Sequence, residues 1–457
     1  MLRKRPEEQR VVMSLTAEEV IRLNKEYTLF EWNKQRDFVP LPIERAKGVY
    51  FWTTDGKRYL DFNSQLMSVN IGHGDERVIR AICEQAAKLT YANPYAATEA
   101  RGRLGQMLAE ITPGNLKKSF FTLGGSEANE NAIKIARMVS GKHKILARYR
   151  SYHGGTYGSM TLTGDPRRWA SEPGISGVVR IPDPYYYRCR LDISEEEFMA
   201  ECLNQTEDII RFEGPHTIAA ILVETITGTN GIIIPTKSYY QGLRQLCDKY
   251  GIFLILDEVM CGFGRTGKWF ACQHYDIVPD MMTMAKGLTS SYAPLGNCIV
   301  SEEIAEYFDD HVLWSGLTYG GHALSCAAAI ACINVYKEDN LIERAAEMGK
   351  FLAEEEDKLK AKHPSVGDVR HIGLFSVFEL VKNRRTKEPM APYNAQGDEM
   401  RVMNMIKKFF HDNGLFTFVR WNNFFVNPPL CITKEELQEG LEIIDRALEI
   451  ADDFVEE

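Results

Sequence analysis

Four short, almost wholly apolar runs constrain the fold more than any other feature of this chain: residues 119–123, 217–223, 252–256 and 281–285. A strand that is apolar on both faces must be covered on both, and these runs alternate with helical stretches, which predicts a buried, mostly parallel sheet. One covering helix is directly legible, because Ala128, Ala132, Ile135 and Val139 recur at helical intervals after the first run. The centre of the chain is therefore expected to be α/β. Towards both ends, strand-like pieces at 49–52 and 424–426 sit among helical patterns. They predict a smaller α+β domain assembled from residues 1–75 and 335–457, with 76–334 as the large domain. Thr16 with Glu19, and Thr433 with Glu436, have the spacing of capping boxes. Leu437, Leu441, Ile444 and Leu448 give the second helix an apolar face, and both ends are expected to pack.

Charge and cysteine usage remove several classes of function. The chain has 54 basic and 63 acidic residues, a formal charge of −9 over 457 residues. It contains no dense Lys/Arg block, so nucleic acid is not an expected partner. Ten scattered cysteines without a CxxC pair, and a charged rather than apolar beginning, point to a reduced, cytoplasmic setting. No apolar window approaches the roughly 20 residues of a membrane span. His73, His153 and His322 are singly placed; they read as structural histidines, and no metal is expected.

The residues just after each apolar run carry the chemistry, since open α/β sheets bind ligands beyond the carboxyl ends of their strands. Here those ends lead into Gly124-Gly125-Ser126, Glu224, Asp257-Glu258 and Lys286. Two glycines before a helix let the backbone approach an anion, and a serine adds a donor; a plain strand-to-helix turn capped by Ser126 is the competing reading. Asp257, at the edge of an apolar core, needs a cation or strong donors to stay ionised. A pyridinium N–H would serve, and so would a helix-capping role. Lys286, if desolvated, would act as a Schiff-base amine and proton carrier rather than as a surface lysine. One motif is set aside. Gly262-Phe-Gly-Arg-Thr-Gly267 matches GxGxxG, but it does not follow its strand directly and opens no helix, as a dinucleotide fingerprint must.

In combination these residues resemble the class III, or omega, aminotransferases, pyridoxal 5'-phosphate (PLP) enzymes of fold-type I. The resemblance rests on Gly124 to Ala128, on Asp257 to Gly267 and on Lys286 within Met284-Ala-Lys-Gly-Leu288, and it runs from Gly48 to Pro429. It implies that Lys286 forms the imine with the cofactor and that Asp257 pairs with the ring nitrogen. Gly125 and Ser126 would bind the phosphate, Tyr152 and Val259 would pack on the two faces of the ring, and Glu224 would be the buried acid beside it. Thr318 resembles a threonine that reaches the phosphate from a neighbouring subunit, which implies a homodimer with shared sites. Arg420 resembles the mobile arginine that takes the acceptor's carboxylate. Leu66, Met67 and Tyr95, with Trp32, resemble positions lining the substrate pocket.

The implied reaction moves an amino group from an omega-amino acid or primary amine to an oxo acid in two half-reactions, with ping-pong kinetics. Met260 and Thr229 stand where relatives specific for 2-oxoglutarate or ornithine carry a Gln and a second Glu. Nothing evident in the sequence then holds Arg420 aside by a salt bridge, which favours pyruvate as acceptor. An aminomutase, or an aminotransferase using 2-oxoglutarate, is the alternative.

Overall fold

The computed structural model describes residues 15–456. At its centre is a seven-stranded sheet in the spatial order Leu116–Thr122, Gly296–Ser301, Met281–Met284, Phe253–Asp257, Ile218–Glu224, Lys144–Arg148 and Val178–Ile181. Six strands run in one direction. Gly296–Ser301 runs against both of its neighbours, so the sheet is mostly parallel, as the apolar runs predict. Every residue of Ile218–Glu224 is buried, and each fully covered Ile, Leu or Val side chain contributes roughly 1.5–3 kcal/mol.

Helix Gly125–Ser140 covers one face of the sheet with Ala128, Ala132, Ile135 and Ala136. It stops at Gly141, whose φ of +68° provides the left-handed turn that ends many helices.

Two smaller sheets flank the centre. One joins Ile43–Lys47, Tyr50–Thr53 and Arg58–Asp61 to Leu415–Phe416 from the far end of the chain. The other contains Val366–Ile372, Phe375–Asn383, Asn423–Val426 and Val419–Arg420. Helix Lys434–Asp452 opens with the expected capping box and buries Leu437, Leu441, Ile444 and Leu448. The other end departs from expectation. Ala17–Tyr27 has its capping box but buries no residue, because within one chain no core element lies against it. The lead-in before residue 15 lies outside the described residues.

The fold's consequence for chemistry is register. Parallel pairing sets Glu224 beside Asp257 and Asp257 beside Thr283, so three strand ends deliver polar side chains to one edge.

Candidate active site

Lys286 lies just beyond this edge, in a short turn where its φ is +44°. A left-handed backbone at a non-glycine residue persists only where its surroundings hold it. Tyr336 Oη donates to Gly287 O at 2.8 Å, and a side chain at Gly287 would run into Asn70 and Phe263.

Asp257 is 3% exposed and nonetheless faces three donors. Its Oδ2 accepts from His153 Nδ1 and from Asn129 Nδ2, both at 2.8 Å, and its Oδ1 accepts from Val259 N at 3.0 Å. Thr283 Oγ1 donates to Asn129 Oδ1 at 2.7 Å, which turns the amide so that its NH2 faces the carboxylate. Glu224 is served only by backbone: Oε1 accepts from Tyr152 N at 2.9 Å and Oε2 from Gly228 N at 2.7 Å. Burial therefore pushes its carboxyl up to about 7, with His153 pulling it down and Asp257 pushing it further up. Burial likewise lowers the Lys286 amine, against the opposing pull of Asp257 and Glu224. An amine held below its ordinary value spends more of the neutral pH range as an unprotonated nucleophile.

The glycine-rich turn forms a cup. The helix begins at Gly125, so Ser126 lies inside its first turn and is not the cap; Gly124 fills that place with no side chain to offer. The first N–H groups of a helix lack partners within it. Ser126 Oγ accepts from Gly155 N at 2.9 Å. A side chain at Gly125 would meet Val259 at 2.8 Å, and one at Gly154, whose φ is +138°, would collide with Ser126.

A second cluster stands beside Tyr152. The Arg167 guanidinium lies 3.7 Å from the centre of the Tyr152 ring, and Trp32 meets that ring edge-on at 6.4 Å. Arg167 is bidentate to Asp165, with Nη2 at 2.5 Å and Nε at 3.0 Å, and its Nη2 donates to Thr229 Oγ1 at 3.0 Å. Arg420 Nη2 reaches Asp165 Oδ2 at 3.1 Å, and Asn230 Nδ2 the same oxygen at 3.0 Å. Burial alone would raise Asp165, but the hydrogen bond and charge of Arg167, joined by Arg420, hold its carboxyl below the ordinary value. Two guanidiniums thus share one carboxylate, leaving a net positive charge and an unpartnered, buried Arg420 Nε. Arg420 is accordingly neither free nor at the surface. The acidic residue that the sequence does not reveal is Asp165, and the residue paired with Thr229 is Arg167.

The remaining pocket residues divide. Met67 is buried in one apolar cluster with Met260 and Ile226, while Leu66 is 44% exposed. Tyr95 and Thr318 are not brought to Lys286 within one chain. Both are exposed, and they line a separate hollow with Trp314. Asn129, His153, Thr283, Asp165 and Arg167 are the site residues that sequence reasoning missed. His153, next to Tyr152, carried a usable signal; it reads as structural in the sequence but bonds Asp257 directly.

The family model for class-III aminotransferases matches residues 32–448. The chain belongs to that family. Among solved structures, the crystal structure of the taurine:2-oxoglutarate aminotransferase from Bifidobacterium kashiwanohense, in complex with PLP and glutamate, is 44% identical. It superposes with a TM-score of 0.92 over 96% of this chain and 99% of that one. The putrescine–pyruvate aminotransferase of Pseudomonas aeruginosa is 34% identical over 89% of this chain and 90% of its own length. The taurine–pyruvate aminotransferase of Bilophila wadsworthia is 33% identical over 95% and 98%. This class-III aminotransferase is a fold-type I enzyme whose cofactor is PLP, and it transfers amino groups to oxo acids. Its residues fit that cofactor: a buried amine, a carboxylate held by three donors with acceptor capacity left on Oδ1, and a cup in which side chains at Gly125 or Gly154 would clash.

Proposed function

We propose that Lys286 is the amine that binds the cofactor and then carries the substrate proton, and that Asp257 keeps the cofactor's ring nitrogen protonated. Bound PLP supplies an electron sink for the charge left when the substrate carbon loses its proton. Asp257 is fixed for that role because His153 and Asn129 hold its Oδ2 in place at the edge of the core. Gly125 and Ser126 take the phosphate, and Tyr152 and Val259 bracket the ring. Glu224 stands as the neighbouring acid and supports the amine's return to its charged form. Thr318 and Tyr95 serve the site of a second copy in a homodimer. The hollow they share carries Trp314 at 80% and Tyr95 at 99% exposure, which supports an interface there. A cytoplasmic location suits ten free cysteines.

The amino donor is an omega-amino acid or a primary amine, and the acceptor is an oxo acid whose carboxylate binds at Arg420. Pyruvate is the acceptor in the names of two relatives. The observation that carries the acceptor reading is the carboxylate of Asp165 shared between Arg420 and Arg167. An incoming carboxylate can take Arg420 from Asp165 while Arg167 keeps Asp165 satisfied. The same observation supports a second reading, in which a dicarboxylic oxo acid such as 2-oxoglutarate uses both guanidiniums and binds more tightly than pyruvate.

A panel of amine donors supplied with pyruvate or 2-oxoglutarate tests this, reading alanine and glutamate. Alanine formation supports pyruvate use. A KM for 2-oxoglutarate about tenfold or more below that for pyruvate, lost in Arg167→Met, supports the second reading. Neither product from any donor would refute both.

A further inference from the structure

Residues 64–67 are the most strained stretch of backbone around the site. Ser64, Gln65 and Met67 have φ of +46°, +57° and +54°, and none is glycine. Such a run persists only where its surroundings over-determine it.

Two buried side chains do so. Asp61, fully buried, accepts Gln65 N at 2.9 and 3.0 Å on its two oxygens, Gln65 Nε2 at 3.0 Å, Asn63 N at 3.2 Å and His73 Nε2 at 2.9 Å. Arg265, also fully buried, donates from Nη2 to Ser64 Oγ and to Asn70 Oδ1, both at 3.0 Å. Its Nη1 donates to Leu374 O at 3.0 Å and Pro428 O at 2.5 Å. Ser64 Oγ in turn donates to Asn427 O at 2.7 Å. Among the described residues no carboxylate bonds Arg265. Burial pushes its guanidinium down to about 10, and Tyr336 and Asp61 are the first groups that pull it back.

Arg265 also gives the GxGxxG segment a purpose unrelated to nucleotides. Gly264 and Gly267, at φ of +85° and +81°, thread that segment against Ile342 and Ala346, where side chains would clash at 2.7 and 2.9 Å. The guanidinium is thereby delivered beneath the strained turn. The turn carries Met67 into the cluster with Met260, whose Sδ fills the space beside Glu224 that a Gly228 side chain would take. Leu66, the residue before it, stays half exposed.

We propose that Asp61 and Arg265 are positioning residues for the amine donor: acting across the strained turn, they fix Leu66 as the wall against which the donor's non-reacting part lies, with Met67 buried behind it as its footing, and so set which amines are accepted. The inference rests on Lys286 being the reacting amine and adds a determinant of donor choice to the same site.

The test uses holoenzyme of wild type, Asp61→Asn and His73→Gln. Asp61→Asn keeps the shape and an acceptor for Gln65 N but loses the charge; His73→Gln touches the turn only through Asp61. Hydrogen exchange of the peptide spanning 61–69 is expected to speed up about tenfold in Asp61→Asn, with the strand Phe253–Asp257 unchanged. In the same variant, the ratio of KM for a bulky arylalkyl amine to KM for a short aliphatic amine is expected to shift about fivefold. The oxo-acid KM and the short-amine kcat stay within about twofold. His73→Gln should move both readings in the same direction by less.

Unchanged exchange, or faster exchange with an unmoved KM ratio, would overturn the proposal. Wild type that transfers no amine to any oxo acid would refute the proposed function instead, and the exchange measurement would still decide whether Asp61 braces the turn.

Discussion

Asp257 sits at the edge of an apolar core with three donors facing it, two of them side chains from the helix Gly125–Ser140 and from the segment beside Tyr152. Hydrogen bonds to a charged group contribute roughly 1.5–3 kcal/mol. His153→Leu is therefore expected to lower kcat by about 10- to 100-fold and to shift the pH dependence of the cofactor's absorbance; an unchanged absorbance titration would show that His153 does not tune Asp257. Glu224 makes a separate prediction. Its folded value near 7 lies above the ordinary 4.5, so between those values the folded protein binds more protons than the unfolded chain. Stability of the cofactor-free protein then falls as pH rises from about 4.5 to 7 and levels off above, by on the order of 3 kcal/mol from this group. Denaturant titrations across that range should show the slope in wild type and lose this part of it in Glu224→Gln.

At the scale of elements, the site depends on where strands end and how closely the turns after them approach. Gly154, at φ of +138°, has Ser126 Oγ at the place where a side chain would begin. Gly154→Ala is expected to raise the dissociation constant for PLP about tenfold or more, measured by fluorescence titration of the cofactor-free protein, with little effect on secondary structure.

Legibility in the sequence also divides at the scale of elements. Apolar runs ending in Gly124-Gly125-Ser126, Glu224, Asp257 and Lys286 could be read along the chain because strand burial and strand ends are local properties. Asp165 meets Arg420 at a sequence separation of 255 residues, and no periodicity announces such a meeting. The strained turn at 64–67 was equally hidden, since left-handed φ at Ser, Gln and Met contradicts local propensity and is imposed by Asp61 and Arg265. The first helix shows the converse: its capping box was readable, but packing partners are not a local property.

For the whole molecule, the exposed aromatic and apolar side chains Tyr95, Trp314, Val312 and Tyr319 gather near Thr318 and predict a dimer interface. Trp314→Asp should shift the sedimentation profile towards monomer and lower activity in step with the monomer fraction. A monomeric wild type with full activity would contradict the shared-site proposal.

Every role proposed for the site depends on which amine reacts with the cofactor. Borohydride reduction of the intact holoenzyme, followed by digestion and mass spectrometry, tests this most directly. Loss of the visible absorbance and a single pyridoxyl-phosphate adduct on the peptide containing Lys286 are the predicted result. An adduct on any other lysine, or none at Lys286, would contradict it.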